Sequence, residues 1–160
     1  MDRAIDPKRP SDTELLIVRR FPVPRSVIWR MWSDPAHLIR WWGPEGFTVT
    51  NLDMDFRPGG AWRVGMVSDE FGLSWSRGHY SEIDPEQRIV MTFAWEQESR
   101  LDTLTTITVG FEERDGETIQ TFHQTPFSTT EYRDSHIGGW HSLFNDEGRY
   151  AASLVREART

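Results

Sequence analysis

The sequence predicts an α+β fold: a curved antiparallel β-sheet around a long C-terminal α-helix, with two short helices after the first strand. Three observations carry this expectation. Period-two apolar alternation runs from Phe47 to Gln124 and is broken by turn signals at Pro58-Gly59-Gly60, Asp84-Pro85 and Asp115-Gly116, the pattern of a meander. After Phe127 the apolar period changes to three-to-four spacing, which marks an amphipathic helix. Ahead of the meander, Trp41-Trp42-Gly43-Pro44 reads as a helix end followed by a stop.

The elements follow in order. Residues 1–11 are polar and Pro-containing and read as a flexible arm, and 12–158 read as a single domain. Thr13 to Arg20 is rich in Leu, Ile and Val and reads as the first strand, closed by Phe21-Pro22-Val23-Pro24. Val27, Ile28, Met31 and Trp32 then recur at helical spacing. Asp34-Pro35 supplies an N-cap and an N1 proline for a second helix running to about Trp41, with Ala36, Leu38, Ile39 and Trp42 on its apolar side. In the meander, Trp62, Val64 and Met66 share one strand face, as do Ile89, Met91, Phe93 and Trp95. Ile107, Val109 and Phe111 mark another, and Ile119, Thr121 and His123 share a side of the strand near 117–125, assigned inward. Polarity alone leaves the phase of 73–83 open; Gly78, Tyr80 and Glu82 are placed inward because a glycine suits close approach beneath a helix. Ser128-Thr129-Thr130-Glu131 has capping-box spacing, and Ile137, Trp140, Phe144, Ala151 and Val155 form the final helix's stripe, widened by Leu143, Tyr150 and Leu154. Gly138-Gly139 is expected to kink that helix or to start it.

Composition excludes several chemistries. The 160 residues carry a formal charge of −7 with scattered acidic groups, which argues against a nucleic-acid footprint. With no cysteine there is no disulfide, thiolate nucleophile or zinc–thiolate site. No apolar stretch approaches the ~20 residues of a membrane span, and the first ten residues lack an apolar signal core, so membrane insertion is not expected and a cytoplasmic location is. His136 and His141 stand five apart, a poor spacing for ligation from one helix face, and no metal is assigned. No phosphate-binding glycine loop or Gly-x-Ser-x-Gly elbow is present, so no cofactor is expected either.

Aromatic residues make up 12% of the chain, and ligand pockets are mostly apolar with a few polar groups. Trp62, Met66, Met91, Phe93, Trp95, Trp140 and Phe144 are the candidate pocket lining, with plain core packing as the alternative for each. Tyr80, Glu82 and His123 are the candidate polar members. Inward-facing, they would set a phenol, a carboxylate and an imidazole among apolar walls, the setting for acid–base chemistry. The alternative is ordinary pairing, His123 with a neighbouring backbone or hydroxyl group and Glu82 with an arginine such as Arg63. Trp41 and Trp42 read as structural, one wedged under the sheet and one at the cavity mouth.

The order of these words resembles the START-like helix-grip superfamily, also called SRPBCC and including the birch-pollen-allergen-like proteins. More narrowly, it resembles the branch named for activators of the heat-shock-protein-90 ATPase. The markers are Phe21-Pro22-Val23-Pro24-Arg25 with Val27 and Trp29, Trp32-Ser33-Asp34-Pro35, and Leu38 with Trp41-Trp42-Gly43-Pro44. Phe47-Thr48, Arg57-Pro58-Gly59-Gly60 with Trp62-Arg63, Gly78-His79-Tyr80-Ser81-Glu82-Ile83 with Pro85, His123 and Gly139-Trp140 complete them, from about Leu15 to Leu154. The resemblance implies a bent sheet gripping the terminal helix and a cavity between them that often takes an apolar ligand, without implying one reaction. A co-chaperone of this kind has, by the same resemblance, a separate chaperone-binding domain for which the chain has no room, so chaperone binding is not expected. The expectation is therefore a binding protein for a small apolar, aromatic or lipid-like ligand. A partner-binding module, including a homodimer, and a cyclase or hydratase using His123, Glu82 and Tyr80 are the alternatives.

Overall fold

A computed structural model describes residues 11–96 and 104–158. Apart from Ser11, the N-terminal arm expected over 1–11 lies outside the described residues. Among those described, seven strands and three helices follow one another as β1 (Leu15–Phe21), α1 (Arg25–Ser33), α2 (Pro35–Leu38), β2 (Phe47–Met54), β3 (Ala61–Ser68), β4 (Gly72–Asp84), β5 (Arg88–Trp95), β6 (Thr105–Arg114), β7 (Glu117–Thr125) and α3 (Thr130–Ala158). The strands form one antiparallel sheet in the order β1-β7-β6-β5-β4-β3-β2. Consecutive strands of the meander pair as hairpins, and β1 returns to the far edge beside β7, in register from Leu15 opposite Gln124 to Phe21 opposite Thr118. The sheet curls around α3, which lies against β1 and α1.

Local chemistry accounts for the ends of the helices. Asp34 accepts from the Ala36 backbone N–H at 2.9 Å with Pro35 next in sequence, so α2 begins where the Asp-Pro pair places it. It is shorter than the expected run to Trp41, ending at Leu38 and continuing as turns in which the Trp41 and Trp42 N–H groups reach back to the Leu38 carbonyl. The start of α3 is capped by Thr129, whose hydroxyl accepts from Tyr132 N at 3.0 Å, one residue later than the box proposed at Ser128. Gly138-Gly139 neither starts nor interrupts α3, which is continuous from Thr130 to Ala158.

Two strand phases differ from the expectation, and both differences matter for the site. On β4, Ser76, Gly78 and Tyr80 do face the interior, but the register slips between Tyr80 and Glu82. This β-bulge, with Ser81 as the extra residue, hands the inward position to Ile83, opposite the buried Ile89, and turns Glu82 outward. On β7 the inward set is Thr118, Gln120, Phe122 and Gln124, so His123 lies on the outer face with Ile119 and Thr121. The sequence misleads there because the inward face carries polar residues and the outward one an isoleucine.

The glycine at 78 is needed for close approach, although not beneath a helix. A Cβ there would sit 1.9 Å from the Thr92 carbonyl oxygen and 2.7 Å from Trp62 Nε1. The missing side chain lets the Trp62 indole donate to that carbonyl, at 3.1 Å.

Candidate functional site

Between the sheet and α3 lies a cleft of about 360 Å³. The sheet contributes Met66, Ser76, Phe93 and Trp95; α3 contributes Ser135, His136, Gly139, Trp140 and Leu143. Trp42 and Pro44 from the α2–β2 connection, Phe47 at the start of β2 and Phe71 from the β3–β4 hairpin complete the wall. Phe71 is 67% exposed and stacks on Phe47, ring centroids 6.2 Å apart and nearly parallel, at the edge of the cleft. No Asp, Glu, Lys or Arg is among these residues.

The space exists for an identifiable reason. Gly139 is a mid-helix glycine facing the sheet, and an added Cβ would meet nothing within 4 Å. Five residues further along, Phe144 is fully buried against Phe122, centroids 5.1 Å apart, and closes the interior. Towards α1 and α2 the same sheet face leaves a void of only about 10 Å³ among Trp32, Leu38, Trp42, Leu52, Trp62, Val64, Tyr80 and Met91.

The polar groups around the cleft are largely engaged with one another. Trp95 Nε1–H donates to His136 Nε2 at 2.9 Å. Because an indole can only donate, Nε2 must be the acceptor, and His136 takes the tautomer with its proton on Nδ1, which lies 2.8 Å from the Tyr132 carbonyl. Ser135 Oγ also donates to Tyr132 O, at 2.7 Å. Trp140 Nε1 donates to Gln124 Oε1 at 2.8 Å, and Gln124 Nε2 donates to Thr105 Oγ1 at 2.8 Å. Ser76 differs. The residue is 1% exposed, it stands between Val64 and Trp95 in the ladder, and its Oγ, closed off from the cleft, has no hydrogen-bond partner. A buried hydroxyl left in that state costs about 1–3 kcal/mol.

A second polar cluster sits deeper. Glu147 of α3 is fully buried; its Oε2 accepts from Trp32 Nε1 at 3.0 Å and its Oε1 from Gln120 Nε2 at 3.1 Å. Burial dominates and pushes its pKa up to about 8, while the two hydrogen bonds pull the other way. Tyr80, also buried, has its hydroxyl pKa raised by desolvation.

Of the residues singled out from the sequence, Met66, Phe93, Trp95 and Trp140 border the cleft. Trp62, Tyr80 and Met91 border the small inner void, and Phe144 is packed core. Glu82 is ion-paired on the outer surface with Arg88, at 2.6 Å, while the arginine suggested as its partner, Arg63, holds Glu96 at 2.6 Å. His123 Nε2 lies 2.9 Å from Glu14 Oε2 on the outer face. The Ser11 hydrogen bond first, and then this contact, hold the Glu14 carboxyl below its ordinary pKa. The proposed His123–Glu82–Tyr80 set is therefore not assembled: the bulge and the β7 phase put two of its members outside. Trp41 is buried, its indole donating to Met31 O at 3.1 Å, and Trp42 is buried at the inner end of the cleft. Sequence reasoning missed Ser76, Gly139 and His136 as cleft residues, although Gly139 carried a signal: a glycine on the core side of an amphipathic helix leaves room by default.

Residues 22–147 match the family described as Activator of Hsp90 ATPase homolog 1-like protein. The chain belongs to that family. The match reaches from the end of β1 into α3, across the whole meander. Among solved structures, a protein from Chromobacterium violaceum superposes with TM-score 0.80 at 21% identity, over 87% of this chain and 96% of that one. The AHSA1 protein from Silicibacter pomeroyi gives TM-score 0.78 at 26% identity, over 90% and 99% of the two chains. A protein from Nitrosomonas europaea gives 0.76 at 20% identity, over 95% and 99%. No curated protein matches. These likenesses establish the helix-grip fold of the family and leave its activity in this chain to the site itself. Among the described residues, no cluster of three His, Asp or Glu side chains could hold a metal ion, and no helix is long and apolar enough to cross a membrane.

Proposed function

We propose that this family member is a non-catalytic binding protein that holds a small, largely apolar and aromatic ligand between its sheet and α3. The observation that carries the reading is the cleft of about 360 Å³, bordered by Trp42, Phe93, Trp95 and Trp140 and free of charged side chains. Pockets that bind small molecules have this volume and this kind of lining. Binding in place of catalysis is favoured by His136, whose acceptor nitrogen is already engaged by Trp95.

Native mass spectrometry and thermal shift against lipids, flavonoids and polyketides test the reading. The wild type is expected to gain a one-to-one adduct and a higher Tm with at least one class. Gly139→Phe, which puts a ring into the open space beside that residue, should lose both. No adduct with any class would overturn the reading.

A partner-binding role would rest on the apolar β3–β4 hairpin, which shares Phe71 with the cleft. Val67 and Leu73 are cross-strand partners, both exposed, and with Phe71 they form an apolar edge at the β3–β4 hairpin. A sedimentation coefficient that stays monomeric up to high concentration would count against a homodimer through this edge.

A further inference from the structure

We propose that a polar groove beside the cleft is the seat of a ligand head group, and that the ligand is an amphiphile with its apolar body in the cleft and an uncharged, sugar-like head in the groove. This head-group site presupposes the ligand-binding reading above and adds the second half of the ligand to it.

The groove, of about 500 Å³, lies where α3 passes the turn from Pro44 to Phe47. Pro44 and Phe47 belong to both walls, so cleft and groove are neighbours across a single turn. The Phe47 N–H closes that turn on the Pro44 carbonyl at 2.9 Å, with Gly46 at φ +89°, and the Glu45 N–H donates to Ser142 Oγ of α3 at 2.7 Å. The turn is thereby tied to the helix before a ligand arrives, which cuts the ordering cost of binding beside it. A Cβ at Gly46 would meet nothing within 4 Å, so the groove is open at its tip.

The two linings differ in kind. The cleft has no charged side chain, and a polar head placed there would lose its water without compensation. The groove instead carries Glu45, with Ser142, Asn145, Asp146 and Arg149 at i, i+3, i+4 and i+7 on one face of α3. Arg149 is paired with Asp146, one charge of each sign. Arg19 donates to Asn145 Oδ1 at 2.8 Å; because a guanidinium only donates, this fixes the amide and leaves its NH₂ group as a donor. Donors on Asn145, Ser142 and Arg149 thus stand beside the carboxylate acceptors of Glu45 and Asp146. Each hydroxyl of a sugar both gives and takes a hydrogen bond, which suits such a mixture. An anionic head would face two carboxylates, and a cationic one would meet Arg149 and gain little from the solvent-exposed Glu45.

Calorimetric titrations below the critical micelle concentration test this with matched bodies: 2-naphthyl and octyl β-glucoside, their parents 2-naphthol and 1-octanol, and the charged analogues 2-naphthyl phosphate and octyltrimethylammonium. With at least one body, the wild type is expected to bind the glucoside about tenfold more tightly than the parent and than the charged analogue, as added hydrogen bonds at a half-exposed site predict. Glu45→Ala and Asn145→Ala should each cut the glucoside-to-parent ratio about threefold or more. Gly139→Phe, which fills the cleft, should weaken glucoside and parent alike. Glucosides no tighter than their parents, or a ratio that neither groove substitution changes, would overturn the head-group site and leave the cleft reading standing. A charged analogue binding as tightly as its glucoside would overturn the uncharged class. Glucoside binding that survives Gly139→Phe while the parent is lost would show two separate sites and overturn the amphiphile. Silence from all six compounds, while the flavonoid, lipid or polyketide panel still gives an adduct, would overturn this proposal alone. Silence from every compound tested would overturn the ligand-binding reading and this proposal together.

Discussion

At the α1–α2 end of the sheet–helix interior, Trp32, Trp42, Trp62 and Tyr80 leave a void of about 10 Å³; at the hairpin end, Phe93, Trp95 and Trp140 border a cleft of about 360 Å³. Both ends use the same strand faces and the same aromatic residue types. What separates them is what comes in from the other side. Towards α1, the rings of Trp32, Trp41 and Trp42 meet edge to face at centroid distances of 5.0 to 5.8 Å and fill the space. Towards the hairpin, α3 offers Gly139, and nothing fills it. Aromatic content alone is thus a poor indicator of a pocket; the small residue opposite the rings decides.

The polar groups divide in the same way. The deep carboxyl of Glu147 has two donors, whereas the hydroxyl of Ser76, equally buried in the wall of the cleft, has no partner.

The contrast can be broken or sharpened by substitution. The largest effect is expected from Trp140→Ala, because Trp140 touches both regions, with ring centroids 4.5 Å from Phe122 on the packed side and 5.6 Å from Trp42. A loss of about 3–5 kcal/mol in urea denaturation is expected for a ring in tight packing. A loss under about 1.5 kcal/mol would mean that the packed region does not depend on this residue.

Glu147→Gln comes next and tests the closed end. The folded-state pKa of Glu147, about 8, lies above its unfolded value near 4.5, so the native protein binds the extra proton between those limits. Wild-type stability should therefore fall as pH rises from about 4.5 through about 8. Glutamine, which imitates the protonated acid, should be more stable than wild type by on the order of a few kcal/mol at pH 9, with the difference vanishing near pH 4.5. Parallel stability curves for the two proteins across this range would show that water reaches Glu147.

The smallest effect belongs to Gly139→Ala at the open end. Its methyl group enters free space and removes the flexibility of a mid-helix glycine, so a gain of about 0.5–1 kcal/mol is expected by thermal denaturation. A loss instead would mean that the helix and sheet already touch there.

Much of the fold was legible because it is written locally. The Asp34-Pro35 cap, the Pro58-Gly59-Gly60 turn and the alternation in β3, β5 and β6 each depend on residues close in sequence. The candidate site was legible only in part. Met66, Phe93, Trp95 and Trp140 could be named because apolar residues on a strand or helix face seek the interior. Glu82 and His123 were misplaced because one bulge shifts a phase and because β7 carries Thr118, Gln120 and Gln124 inward, where they are buried. Glu147 had a usable signal: it falls on the core side of α3, three residues after Phe144 and four before Ala151.

Hydrophobic periodicity, turn chemistry and caps determined the order of elements, the meander and the terminal helix, since each arises from interactions within a few residues along the chain. The tertiary structure alone decided which part of the interior is filled and which hydroxyl lacks a partner. A cavity is a difference between volumes contributed by distant segments, here β3, β4, β5 and α3, and no local stretch of sequence contains that difference.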